Sequence, residues 1–580
     1  MNKKAFTLIE LLAVIVILAI IALIAVPIII NIIGDSKYES QKRSVDGYAK
    51  AVEQAVADYQ LKNNKKVEGK FITTDGKVLT KDDTILNVDY KGNVVCNRII
   101  VNKDGSIYVS ECTVDGDKVD YENGETTYGM IMERPANSNF FNTSIVSYRI
   151  SHFEISTTLD IKNKESYQSS DCSYNQDESV ICYWKETNNN AGFYDVVLAS
   201  DGEMYTPINS TRLFSYLGYQ SLQNDLDVSK LNTKYTTNMS YMFQYASACK
   251  YYNQKIELGD KFDTSNVTDM SWMFHGSELK CHGSFRFPDS FNTSNVTDMS
   301  HMFSEIYGYL DIFDLGNNFN TSNVTKMVGM FASSRYITKL NLGSKFDTSK
   351  VTNMANMFDD FGSWYMQSLD LGDKFDTSNV TDMSWMFYNM GRKNLKSFSL
   401  GENFNTEKVT NMRSMFDAMG FEKLEKFNLG NNFNTSNVID MDCMFCYLGY
   451  QNLEKLDLGE HFNTSKVTNM HQMFSGTGFK KLKKLDLGKL FVAPERAYSN
   501  VSSIFNETGK ESLEELYLWN FDYSKVWYKD NVFKDFGTDG VLTKVVVSNN
   551  EIKTKIEQLT SPNNVPQFWK DNDIIVVQTP

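Results

Sequence analysis

The side chains of this 580-residue sequence best suited to nucleophilic or metal chemistry are its six histidines and eight cysteines. No histidine falls in H-E-x-x-H, the spacing that sets two imidazoles and a general base on one helical face. Neither a G-x-S-x-G elbow nor a G-x-x-x-x-G-K-[ST] phosphate loop occurs. Cys249, His275, Cys281 and His282 sit in neighbouring repeats and are of zinc-ligating type. A Cys249–Cys281 disulfide, or plain burial, accounts for the cysteines without a metal. Cys443 and Cys446 form a lone C-x-x-C on a segment with helical spacing, where a bond between them is expected to be strained. Without a second pair or a βαβ setting, such a motif is weak evidence for redox or metal chemistry. The chain reads as a binding protein and not an enzyme, with no catalytic residue, cofactor or metal expected.

One carboxylate is placed unusually. Residues 6–33 are almost wholly apolar, yet Glu10 lies near their start. As a helix this stretch reaches about 42 Å, more than the ~30 Å hydrocarbon core of a bilayer. Lys3 and Lys4 precede it, so the positive-inside rule keeps Met1 cytoplasmic and sends everything after residue 34 outside. A carboxylate at the centre of a membrane helix costs roughly 2.5–3.5 kcal/mol, and less near the edge. Glu10 either snorkels to the headgroups or meets a positive charge brought by another chain.

The remaining bulk properties narrow the partners. A formal charge of −14 disfavours nucleic acid, which needs a basic footprint. The length exceeds a single core and points to several domains or a repeat array.

The segment "KKAFTLIELLAVIVILAIIALIAVP" resembles the prepilin signal of type IV pilins. In that family a basic leader is cut by a prepilin peptidase before a phenylalanine, and the new amine is methylated. A glutamate follows at the fifth mature position and a proline at the twenty-second. Counted from Phe6, these are Glu10 and Pro27. Ala5 stands where the family usually carries glycine. The resemblance implies that Glu10 pairs with the Phe6 amine of another pilin subunit in a filament core built from residues 6–33. Pro27 removes a helix hydrogen bond and marks a kink or melted turn.

Past the membrane, Tyr38, Val45, Tyr48, Val52, Val56 and Tyr59 give the helix one apolar face, which a sheet must cover. The run "NVVCNRIIVNKDGSIYVSECTV" reads as a hairpin around Lys103, Asp104 and Gly105, with Cys96 opposite Cys112 and close enough to bridge. Residues 34–125 are therefore expected to form a pilin-like head of helix and antiparallel sheet. Residues 126–230 form a connecting segment that caps the next domain, where Cys172 and Cys182 are placed to staple a second hairpin.

From about 231 to 548 the chain repeats. Copies of "FDTSNVTDMSWMF" begin at Phe262, Phe291, Phe319, Phe346, Phe375, Phe404, Phe433 and Phe462, mostly 29 residues apart. Such a period means a solenoid whose units bury a core only by stacking. One half of each unit is an L-x-x-L-x-L strand, as in Leu453, Leu456 and Leu458. The other half places Val380, Met383, Met386 and Phe387 at helical spacing, with Thr377 or Ser378 as N-cap. The expected fold is thus α+β: a transmembrane pilin helix with a small antiparallel sheet, then a leucine-rich-repeat-type α/β solenoid. Residues 549–580 cap its C-terminal end.

The methionines recur in register with Val and Phe, which points to packing. Asp263, Asn292, Asn320, Asp347, Asp376, Asn405, Asn434 and Asn463 invite a calcium reading, but a ladder of Asx turns explains them more simply. Between the strand leucines, Glu257, Arg286, Asp314, Asn341, Asp370, Ser399, Asn428, Asp457, Asp486 and Tyr517 are expected to form a polar, mostly acidic ridge. Solvation alone explains such a ridge; it is also the natural recognition face of a solenoid.

The repeat pattern is similar to that of BspA-like leucine-rich-repeat surface proteins, over about 231–548. That resemblance implies surface binding, to host or bacterial cells, with no named ligand. The leading expectation is a minor type IV pilin on the cell surface that displays an adhesive solenoid. Two others stand beside it: a pseudopilin of a secretion or DNA-uptake machine, and a membrane-anchored binding protein that never polymerises.

Overall fold

The computed structural model describes the backbone of residues 8–578 except 66–68, 75–76, 80–84, 103–105, 120, 122, 124–128, 135–139, 142, 144, 188–191, 220, 247–253, 495–498 and 538–540. Side chains are described from Ser36 onward, outside those stretches and outside 66–77 and 79. The chain divides into two compact units, residues 1–130 with 173–179, and residues 131–172 with 180–580.

The first unit is built on helix α1, Leu8–Asn63. The helix assignment runs unbroken through Pro27, so no melted turn interrupts it there; a proline kink keeps such an assignment. Among the residues searched, no helix is long and apolar enough to cross a membrane; the side chains of the apolar segment 6–33 lie outside the described set. Beyond it, Val45, Tyr48, Ala49, Val52 and Val56 recur every three or four residues and are buried. Tyr38 departs from the expected face and is 38% exposed.

That stripe packs on a six-stranded sheet of β1 (Gly69–Thr74), β2 (Lys77–Leu79), β3 (Ile85–Leu86), β4 (Val94–Val101), β5 (Ile107–Val114) and β6 (Asp117–Val119), in the order β3-β2-β1-β4-β5-β6. Every neighbouring pair is antiparallel. In the β4–β5 pair Cys96 faces Cys112, and the two are bonded with S–S 2.07 Å. The tip of that hairpin, 103–105, lies outside the described residues.

The second unit opens with a four-stranded sheet: β7 (Ile150–Ser156), β8 (Gln168–Asp171), β9 (Val180–Glu186) and β10 (Tyr194–Ser200), in the order β7-β10-β9-β8. Cys172 and Cys182 are bonded within it. Its edge strand β7 is not left open. Asn224 accepts from the Phe153 N–H at 3.2 Å and donates to the Phe153 carbonyl at 2.8 Å, as a neighbouring strand would.

The repeats form a β-solenoid of about 12 coils. A parallel ladder of single bridges runs Asn209, Asn238, Asp269, Asp298, Lys326, Asn353, Asp382, Asn411, Asp440, Asn469, Asn500, Tyr528. It starts before position 231, ahead of the first clear repeat in the sequence. Short parallel strands form a second ladder: Phe398 pairs with Phe427, and Leu456 with Leu485 and then Leu516. The strand leucines face inward; Leu453, Leu456 and Leu458 are each at most 2% exposed.

The second half of each coil is not a helix, which corrects the α/β expectation. Met386, Tyr388 and Met390 close tight turns by donating to carbonyls three residues back. The alternate N–H groups of Met383, Trp385, Phe387 and Asn389 donate instead to Asn411, Arg413, Met415 and Asp417 of the next coil. An α-helix spends every N–H on the residue four back and leaves none for a neighbour. Trp385 and Asn389 also have φ of 54° and 52°, which an α-helix does not admit.

Rings and methionines fill the interior. Phe387 stacks between Phe358 and Phe416, its centroid 5.7 Å from each, and Met383 and Met386 are fully buried. The C-terminal end is closed by α2 (Asn550–Glu557), α3 (Gln567–Asp571) and the strand Ile575–Val577, with Trp569 fully buried 4.7 Å from Phe533.

Candidate functional site

The strand-face ridge is made as a register column. Asp227 pairs with Glu257; Arg286 with Asp314 and then Asn341; Ser399 with Asn428; Asp457 with Asp486 and then Tyr517. Most of its acidic and amide side chains also hold the corner that follows. Asp370, Asn428, Asp457 and Asp486 accept from the backbone N–H two residues on, at 3.0–3.1 Å. Asp314 and Asn341 do the same. That acceptor lets the chain turn into a left-handed glycine such as Gly459, φ 78°.

The ridge is less acidic than its sequence suggests. A second column two residues earlier carries lysines that neutralise it: Lys455 reaches Asp457 at 3.0 Å, Lys484 reaches Asp486 at 3.5 Å, and Lys255 pairs with Glu257. Arg286 lies 3.4 Å from Asp314 within the ridge itself. The Lys455 ammonium and the Gly459 N–H hold the Asp457 carboxyl below the usual carboxylate range. Tyr517 keeps the outward register of the ridge but is covered there: Lys484 lies 4.0 Å above its ring and Lys544 5.2 Å, which leaves it 9% exposed.

At the C-terminal end the ridge opens into a groove of about 760 Å³. Its walls carry Lys455, Asp457, Lys484, Asp486, Leu490 and Trp519. Trp519 donates its indole N–H to Asp486 at 2.7 Å, and Leu490 is 46% exposed. The groove thus sets paired charges beside two large apolar side chains. Trp519 and Leu490 were not anticipated, since each belongs to a degenerate copy of the repeat.

The Asx residues suited to calcium serve the backbone. Asp263, Asn292, Asn320, Asp347, Asp376, Asn405, Asn434 and Asn463 each accept from the N–H two residues on, at 2.8–3.0 Å.

Among the described residues, His275, Cys281 and His282 are not part of a group that could hold a metal ion. His275 is buried with Nδ1 2.7 Å from the Ser304 hydroxyl and Nε2 3.0 Å from the Tyr245 hydroxyl, and burial pushes its pKa down. His282 stacks on Tyr309, and Cys281 is disulfide-bonded. Cys249 lies outside the described residues. Cys443 and Cys446, for which a strained bond on a helix is expected, are instead bonded across a tight turn, with Cα atoms 4.9 Å apart. Asp417 joins them: its carboxylate and the two sulfurs lie within 4.8 Å of one another. The signal for Asp417 is its place one repeat period before Cys446.

At the N-terminus, Ala5 and Phe6 lie outside the described residues. Glu10 and Pro27 lie on the backbone of α1, with their side chains outside the described set.

The coils decide the family. The model of "Mycoplasma protein of unknown function, DUF285" matches residues 211–312, 280–399, 365–483 and 392–511, together spanning 211–511, just over half of the 580 residues. The chain belongs to the DUF285 family. The DUF285 coils coincide with the ladder described above, from the first rung region to beyond Asn500. A second model, the "Prokaryotic N-terminal methylation motif", matches residues 1–26. That motif implies pilin-type processing and assembly with other pilin subunits. No curated protein and no solved structure matches the chain.

Proposed function

We propose that this DUF285 protein is a minor type IV pilin that carries its solenoid as a binding surface for host or neighbouring cells. The observation that carries the reading is the methylation motif at residues 1–26 in one chain with a long DUF285 array. A prepilin peptidase cuts between Ala5 and Phe6, and residues 6–33 enter the filament core. There Glu10 is neutralised by the Phe6 amine of another subunit. A buried carboxylate is tolerated when paired and penalised when not, so the pair sets register more than strength.

The bulk of the solenoid supports a minor place in the filament, since so large a body is hard to pack around every subunit. Similarity to BspA-like surface proteins supports binding as its work, and the ridge with its groove is the face best suited to it. The reading assigns the protein no enzymatic turnover. Immunogold labelling of sheared filaments tests it: wild-type filaments are labelled, and filaments from cells carrying Glu10→Ala are not. Protein confined to the membrane fraction in both strains would overturn it.

A further inference from the structure

Cys443 and Cys446 close one turn, in which the Cys446 N–H donates to the Cys443 carbonyl at 3.1 Å. The coils on either side close the same turn with no bridge. The backbone N–H of Asp417 donates to the Ser414 carbonyl, that of Tyr388 to Trp385, and that of Ser475 to Gln472. A bridge spanning so few residues also removes little chain entropy, because that gain grows with loop length. This turn closes in the neighbouring coils without such a bond.

Its two sulfurs are unequal. Cys443 is half-buried, whereas Cys446 is 1% exposed, with its Sγ 2.9 Å from the Gln472 carbonyl oxygen. The Asp417 Oδ2 lies 3.6 Å from the Cys443 Sγ. Burial, with the nearby Asp442 carboxylate, pushes the Asp417 carboxyl up to about 7 against the pull of Arg392. Tyr388 also faces it, and Asp442 is itself paired with Arg413 at 3.1 Å and His471 at 3.1 Å. A bond that neighbouring coils do without, joining a half-buried cysteine to a buried one beside a carboxyl, is an arrangement for chemistry.

We propose that Cys443–Cys446 is a stoichiometric thiol–disulfide exchange site for a protein partner presenting two cysteine thiols, with Asp417 as its proton donor and acceptor. The inference goes beyond the pilin reading and does not rest on it. A partner thiolate attacks the Cys443 sulfur. The Cys443–Cys446 bond breaks, the partner–Cys443 bond forms, and the electron pair leaves on Cys446. Cys446 takes the Asp417 proton and has the Gln472 carbonyl as its acceptor. The Asp417 carboxylate then takes the proton of the partner's second thiol, which attacks the partner sulfur and releases Cys443 as a thiolate that water protonates. The partner's two thiols are oxidised to a disulfide, and Cys443–Cys446 is reduced to two thiols.

The test uses the full-length oxidised protein with reduced glutathione, or with dithiothreitol, quenched by alkylation and mapped by peptide mass spectrometry. Glutathione is expected on Cys443 and not on Cys446. Dithiothreitol is expected to open Cys443–Cys446 about ten-fold or more faster than Cys96–Cys112, whose cysteines are both fully buried. The exchange rate of the wild type should bend near pH 7, and Asp417→Asn should remove that bend while leaving the Cys96–Cys112 rate unchanged. If that variant does not fold, the wild-type profile decides alone. Glutathione on Cys446 or on neither cysteine, equal opening rates, or no bend near pH 7 would each overturn the proposal.

Discussion

Thr406 is fully buried and bonded twice to one residue of the next coil: its hydroxyl donates to the Asn434 carbonyl at 2.8 Å and accepts from the Asn434 N–H at 2.7 Å. Thr435 repeats the pair with Asn463, at 2.9 and 2.7 Å. The threonine of the repeat is thus an interior rung that pairs backbone groups no strand reaches. Thr406→Val is expected to leave both Asn434 groups unpaired, at a cost of roughly 1–3 kcal/mol, whereas Thr406→Ser keeps the hydroxyl and costs less. Chemical denaturation of the two variants measures the difference; equal losses would deny the rung its role.

The phenylalanine columns carry the packing. Phe387 lies 5.7 Å from both neighbours at interplanar angles of 2° and 4°. Phe387→Ala removes a fully buried ring and is expected to cost ~3–5 kcal/mol. The ring contacts of Phe387 lie within its own coil and the two beside it, so amide exchange should quicken first in 354–419 and last in the terminal coils. Uniform quickening along the array would contradict a stack of nearest-neighbour units.

Stability should fall with rising pH at one site. Burial, together with the adjacent Asp360 carboxylate, raises the Asp359 carboxyl from 3.8 to about 7, with Arg335 opposing. The folded state therefore keeps a proton that the unfolded chain releases. The stability this contributes is full below pH 3.8 and lost as pH rises through about 7. Asp359→Asn holds a neutral side chain at every pH, so it should stabilise the protein at pH 8, by on the order of 1–3 kcal/mol, and hardly at pH 4. Melting curves at the two values decide it; the same shift at both would show that the proton is not the cause.

The ridge calls for substitutions that spare its corners. Asp370, Asp457 and Asp486 each accept from a glycine N–H, so lysine at these positions would remove both the charge and the turn. The triple variant Asp370→Asn, Asp457→Asn and Asp486→Asn keeps the acceptor oxygen and deletes only the charge. It is expected to melt within about 1 kcal/mol of the wild type and to adhere less to cells, most visibly at low salt. Full adhesion by the folded variant would remove the ridge charges from recognition.

Much of this architecture is written in the chain. The 29-residue period announces stacked coils, and the D/N-T-S and L-D-L-G segments place an Asx acceptor before each corner. Cys96 and Cys112 sit opposite each other because alternation fixes the hairpin register. The spacing of Val380, Met383, Met386 and Phe387 misleads, because steps of three also arise from consecutive tight turns. What separates the two is a positive φ at Trp385, and at Cys443 and Gln472 in the equivalent place. Those side chains do not advertise a left-handed backbone as glycine does; only Gly329 stands there openly. The neutralising lysines and the Trp519 wall depend on which columns lie side by side, which a linear period does not state.

The most direct test of the account is the intact mass of the protein taken from sheared filaments. A minor pilin begins at Phe6 with a methylated amine and co-purifies with other pilin subunits. A chain that still begins at Met1 and is missing from the filaments would contradict it.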